Sequence, residues 1–251
     1  MVLLIIAVMR LSAPAPASVT VDESEVMPIA VFPDFASIED VDTKKQQFFD
    51  YLEDYVISVN QRVAKLREEL EPYAAIVNSG VGLSRRERER VLGIADYYRI
   101  DTEDMNDREI VNELMLRVDE IPVSLALAQA ANESAWGTSR FALQGNNIFG
   151  EWCFTEGCGI IPRRRPSGAT HEVQRFDSVA ESIESYFLNI NTHNSYRYLR
   201  EMRAEMREQG RNLDPMELAL GLGRYSQRGD HYVDEVQNII IQNDLRNRDK
   251  G

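Results

Sequence analysis

Residues 125–150, LALAQAANESAWGTSRFALQGNNIFG, decide how the rest of the chain is read. Pro122 stands ahead of them where a first-turn proline belongs, and Gly137 is placed to stop the helix predicted over PVSLALAQAANESAWG. Nearly every side chain of that helix is apolar or small, so the segment belongs inside the protein and Glu133 is its odd residue. Helical geometry puts Gln129, Ala130, Glu133 and Trp136 on one side, flanking the carboxyl with an amide and an indole. An apolar wall disfavours the charged form and prepares a carboxyl to donate its proton to a leaving-group oxygen. The competing reading is an exposed helix glutamate paired with Arg140.

The stretch closes on GNNIFG, residues 145–150. Asn146 and Asn147 between two glycines and before Phe149 suit a tight turn, and their amides also suit sugar hydroxyl and acetamido groups. Beyond it, GIIPRRR, PSGA and THEVQRF read as strand, turn and strand. Asp177 and Ser178 with Glu181 form a capping box that restarts helix through Asn191, and more helix is expected over 196–209, 214–222 and 230–245. Upstream, Phe48, Leu52, Tyr55, Val56, Val59, Val63, Leu66 and Leu70 recur at three- and four-residue steps, marking one apolar face of a helix over 43–70 that Pro72 should end. Helices over 84–98, with Ser84 as N-cap, and over 107–118 follow. The fold class is therefore α+β, mostly helical, with a small β-hairpin lobe inserted between helices.

The 251 residues carry 28 basic and 41 acidic side chains, a net charge of −13, which argues against an ordinary duplex-DNA binder. Hydrophobic residues make up 43%, enough for a packed core in one large domain or one domain with an extension. Residues 2–9, VLLIIAVM, are too few to span a bilayer but match a signal-peptide hydrophobic region, and Ala15-Pro16-Ala17 supplies a small-x-small cleavage site. The absence of Lys or Arg before that run, and Arg10 just after it, depart from the pattern. Expected divisions are a signal peptide over 1–17, a poorly ordered leader over 18–42, a helical part over 43–120, a catalytic region over 121–245 and a tail over 246–251. Export to the periplasm or cell envelope is expected. Cys153 and Cys158 are able to close a small disulfide loop, which agrees with an oxidising compartment. His171, His193 and His231 are scattered and lack a metal-binding spacing, so neither metal nor cofactor is expected.

These motifs together resemble the endo-β-N-acetylglucosaminidases of glycoside hydrolase family 73, the FlgJ-type and autolysin-type peptidoglycan hydrolases. RFDSVAESIESYFLNINTHNSYRYLR resembles the helical return after that family's β-lobe, and GLGRYSQRGDHYVDEVQNII its closing segment. TKKQQFFDYLEDYVISVNQRVAKLREEL, WCFTEGCG and THEVQRF are similar to the Bax-type branch. The resemblance covers about residues 43–245 and implies a lysozyme-like fold that cuts the β-1,4 linkage between N-acetylglucosamine and N-acetylmuramic acid. Its partners are then peptidoglycan strands, with no nucleic acid and no transmembrane helix beyond an uncleaved leader. On this likeness Glu133 matches the catalytic acid and Tyr225 the active-site tyrosine, while Gln129, Trp136, Asn146, Asn147, Phe149 and Tyr232 line the groove. A glycosidase also needs a second carboxylate or a substrate acetamido group in that role. The expected place for the second acid reads IIPRRRPSG, with arginines instead. Glu172, Glu156 and Glu151 remain in the lobe, and Glu172 ranks first because a strand flank faces a cleft readily. Arg163, Arg164 and Arg165 suit the carboxylates of stem peptides at a groove rim, or are solvated surface. The rival functions are a lytic transglycosylase or muramidase of the same fold, and a noncatalytic glycan-binding protein.

Overall fold

The computed structural model describes residues 32–223 and 229–249. The expected signal peptide, most of the leader and Tyr225 lie outside that range. Helix α1 spans Val41–Asn78, α2 Arg85–Tyr97, α3 Asp107–Arg117, α4 Val123–Ser134 and α5 Arg140–Gly145. The short strands β1 (Trp152–Cys153), β2 (Gly159–Ile160) and β3 (Glu172–Gln174) come next. Helices α6 (Val179–Thr192), α7 (Arg197–Glu208), α8 (Pro215–Leu220) and α9 (Asp230–Gln242) complete the order, with a 3-10 turn over Leu245–Asp249. This is the expected mostly helical α+β arrangement with a β-lobe between helices. No described helix is long and apolar enough to cross a membrane.

Helix α4 is the axis of the molecule. Its residues from Val123 to Ala131 are buried on every side, as expected of a helix that is apolar all round, and it packs against α1, α8, α9 and the 3-10 turn. Pro122 offers no side-chain cap, so tertiary groups serve the helix start: the Asp249 carboxylate accepts from Ser124 N at 2.8 Å and from Ser124 Oγ at 2.7 Å. Just ahead, Asn60 of α1 accepts from Ile121 N and donates to Ile121 O. Two distant parts of the chain thus fix where the buried helix begins.

Three expectations change in detail. Helix α1 runs through Pro72 to Asn78, because proline withholds only its own N–H while Leu70 and Val77 continue the buried face. Helix α4 stops at Ser134, since Ala135 and Trp136 are both left-handed (φ 50° and 57°) and Gly137 follows at 73°. The lobe is a three-stranded antiparallel sheet in the order β1-β3-β2, not a bare hairpin: β3 is central, and the WCF segment supplies an edge. A Cβ on Gly159 would lie 2.0 Å from Val173 O, so only glycine fits at that strand crossing.

Candidate active site

Four parts of the chain converge on a small cleft. Helix α4 contributes Gln129 and Glu133, the turn after α5 Phe149 and Glu151, α6 and the segment after it Tyr186, Asn189 and Tyr196, and α9 Tyr232. The turn comes close because of Gly150. Its φ of +68° is left-handed, and a Cβ built there would lie 3.6 Å from Glu133 Oε2.

A chain of hydrogen bonds crosses the floor. The Tyr186 hydroxyl donates to Gln129 Oε1 at 2.6 Å, Gln129 Nε2 donates to the Tyr232 oxygen at 3.0 Å, and the Tyr232 hydroxyl is hydrogen-bonded to Glu133. With its oxygen accepting from Gln129, the Tyr232 proton is directed to the Glu133 carboxyl. Burial, reinforced by the charge of Glu133, holds Tyr232 far above the ordinary tyrosine value. Burial and the charge of Glu151 do the same for Tyr186. Both phenols therefore remain donors across the physiological range. Phe149 stacks on Tyr186 with centroids 3.8 Å apart and planes 10° from parallel, sealing one wall with apolar surface.

Glu151 is the second carboxyl of the cleft. Burial pushes it from the ordinary 4.5 up to about 7, opposed in part by a hydrogen bond from Ser185 and by the charge of Arg99. Ser185 Oγ donates to its Oε2 at 2.9 Å, while its buried Oε1 has no hydrogen-bond partner among the described residues. That oxygen is an acceptor ready for a water molecule or a substrate N–H or O–H.

Other expected residues lie elsewhere. Glu172 is buried in the lobe, where it accepts from Gly157 N at 3.2 Å and Gly159 N at 2.8 Å; these bonds hold its carboxyl below the ordinary range and tie down the loop closed by the Cys153–Cys158 disulfide. The lobe acid that lines the cleft is thus Glu151, not Glu172. Glu156 is exposed. Cys153, Cys158 and Glu172 form the one cluster of potential metal-binding atoms among the described residues, but the two sulfurs are bonded to each other. Asn147 donates to Glu151 O and Gln174 O and accepts from Glu151 N, and Asn146 donates to Phe176 O, so both side chains shape the turn. Trp136, carried off the helix by the left-handed turn, packs on Phe49 and Phe48 of α1 with Lys45 over its ring. Arg140 donates to Ile161 O. Arg165 donates to Thr170 O and His171 O, while Arg163 and Arg164 are exposed.

Sequence reasoning passed over Tyr186, Ser185 and Asn189, which belong to an amphipathic helix with no odd residue to single them out. Spacing offered one usable signal. Ser182, Ser185, Tyr186 and Asn189 recur at three- and four-residue steps, a polar stripe beside the buried Ile183, Phe187 and Ile190.

The family model described as mannosyl-glycoprotein endo-beta-N-acetylglucosaminidase matches residues 108–245, which contain every residue lining the cleft. Protein bax of Escherichia coli strain K12 is 37% identical over 150 residues, 59% of this chain and 53% of that protein. The match thus spans about half the length of this relative. No solved structure matches significantly.

Proposed function

The chain belongs to the glucosaminidase family of glycoside hydrolases, family 73, and from that premise we propose that it cuts the β-1,4 bond between N-acetylglucosamine and N-acetylmuramic acid in peptidoglycan. One observation carries the reading: two carboxyl groups with different surroundings, Glu133 and Glu151, line the same cleft. Two carboxyl groups facing one cleft are what acid–base hydrolysis of a glycosidic bond requires.

Glu133, positioned by Tyr232, is the general acid and gives its proton to the departing glycosidic oxygen. Glu151 is the base. Its ionised carboxylate takes a proton from a water molecule at Oε1 as the water oxygen bonds to the anomeric carbon and the bond to the leaving sugar breaks. The proton from Glu133 ends on the new hydroxyl of the leaving sugar and the water proton on Glu151, so the step balances. A base near 7 is well matched to neutral pH. The reaction belongs in the periplasm or cell envelope, a reading supported by the Cys153–Cys158 disulfide.

The decisive experiment digests purified peptidoglycan, reduces the products and identifies the new ends by mass spectrometry. Reduced N-acetylglucosamine ends are expected. Reduced muramic acid or anhydro-muramic ends would assign the other linkage, and tight binding without new ends would make the protein a binder. Glu133→Gln is the control, because it keeps the shape and removes the donated proton.

A further inference from the structure

The β-lobe carries an aromatic pair that the mechanism does not use. Trp152 stacks on His171 with ring centroids 4.2 Å apart and planes 15° from parallel, yet the indole residue is still 55% exposed. One face of the ring is covered by imidazole, so the exposure belongs largely to the other face and the edge. Its backbone is fixed by pairing with the buried Val173 of the central strand. His171 is braced in turn by Arg165, which donates to the His171 carbonyl at 3.2 Å and to Thr170 O at 3.4 Å. An exposed tryptophan held flat by a partner ring, on a strand held by a buried neighbour, is a preorganised surface: little side-chain freedom remains to be lost when something lies on it.

We propose that the Trp152–His171 pair is a sugar-stacking platform, an outer subsite that takes one N-acetylhexosamine ring of the glycan strand whose bond sits in the cleft. The proposal rests on the glycosidase reading above. Two observations choose this occupant. Trp152 directly follows Glu151, so their Cα atoms lie about 3.8 Å apart; side chains alternate along extended chain, so the indole stands on the other side of this strand edge from the cleft carboxyl, at the rim that a glycan strand leaving the cleft would cross. The ring also has the required chemistry: the axial C–H groups of a β-linked pyranose form a flat apolar face that packs on an indole, while its hydroxyl groups stay in water. A nucleic-acid base would stack equally well, but the net charge of −13 repels its backbone.

The chain has two tryptophans, which makes the test direct. Trp136 packs against Phe48 and Phe49, and the Trp152→Phe variant assigns an emission change to one indole or the other. The Glu133→Gln protein is titrated with chitin oligosaccharides of increasing length while tryptophan emission is followed. The expected result is a saturable change that requires the longer oligomers and vanishes when Trp152→Phe is added, with oligomer affinity largely kept. In otherwise wild-type protein, Trp152→Ala should raise KM for peptidoglycan roughly five- to ten-fold, more than it lowers kcat, with Trp152→Phe restoring most of it. An unchanged KM and unchanged oligomer affinity in Trp152→Ala would overturn the platform, as would burial of Trp152 that grows with protein concentration instead of with glycan. New reducing ends are scored separately: a wild-type protein that makes none defeats the catalytic reading, while the titration still decides the platform.

Discussion

Asp119 and Glu151 are both acids taken out of water, and the protein treats them in opposite ways. Asp119, 2% exposed, follows α3 and meets Arg207 at 2.8 Å, Arg67 at 3.6 Å and Arg203 at 3.7 Å. Burial alone would raise it, but Arg203, Arg207 and Arg67 together outweigh burial and hold it below the ordinary range. The same arginines finish α3: Arg203 donates to the carbonyls of Leu116, Arg117, Asp119 and Glu120, and Arg67 to those of Met115 and Val118. Glu151 has one hydroxyl at one oxygen, no described partner at the other, and a value near 7. Burial is common to both, so burial does not identify the working acid. What distinguishes them is whether counter-charge accompanies it: Asp119 is neutralised and joins helices, whereas Glu151 is left able to exchange a proton.

The comparison breaks most visibly at Asp119. Asp119→Asn leaves Arg203 buried without its counter-charge and should cost about 3–5 kcal/mol of stability, measured by urea unfolding, while the folded fraction still cleaves glycan. Next in size is the activity of Glu151→Gln, expected to fall by about 10²–10³-fold in kcat/KM. In the parent protein kcat/KM should decline as pH drops below about 7, because a base must be ionised to act. A full-speed Glu151→Gln protein, or a pH profile flat through 7, would make Glu151 a bystander and return the base to another group.

Stability sharpens the contrast further, because the same substitution should help the fold. Between 4.5 and about 7 the folded protein keeps a proton on Glu151 that the unfolded chain has released, so unfolding becomes easier as pH rises through that window and levels off above it. A neutral amide has no such dependence. Glu151→Gln should therefore match the parent near pH 4 and exceed it by roughly 3 kcal/mol at pH 8, several degrees in Tm. Stabilisation on removing a side chain marks a group kept for chemistry, and Asp119→Asn supplies the opposite sign in the same assay.

Much of this was legible because some residues break a local pattern. Glu133 stands out on an apolar helix, and the Ser84 and Ser178 caps mark helix starts that the structure keeps within a residue. Long-range placement is what periodicity does not carry. Trp136 follows helical spacing on paper, yet two left-handed residues turn it toward α1. Glu151 and Glu172 are both lobe glutamates in sequence. Only the fold turns one toward Ser185 and the cleft and the other onto the Gly157 and Gly159 amides. The Asp119 cluster draws on α1 and α7, 52 and 84 positions away through Arg67 and Arg203, a distance at which sequence pattern is silent.

The smallest effect concerns the arginine run, which the structure divides. Arg165 is occupied with the backbone that carries His171, so its replacement should disturb the lobe itself. Arg163 and Arg164 are exposed, and solvent screens their attraction for stem-peptide carboxylates. Arg163→Glu with Arg164→Glu should therefore weaken binding to peptidoglycan only about two- to five-fold at low salt, with the loss fading as salt rises. Binding to chitin oligomers, which carry no carboxylates, should not change. Equal losses on both ligands would mean that the substitutions had deformed the lobe and not removed a charge contact, and the Trp152 emission of the same variants separates the two, since a deformed lobe unstacks Trp152 from His171 even without ligand.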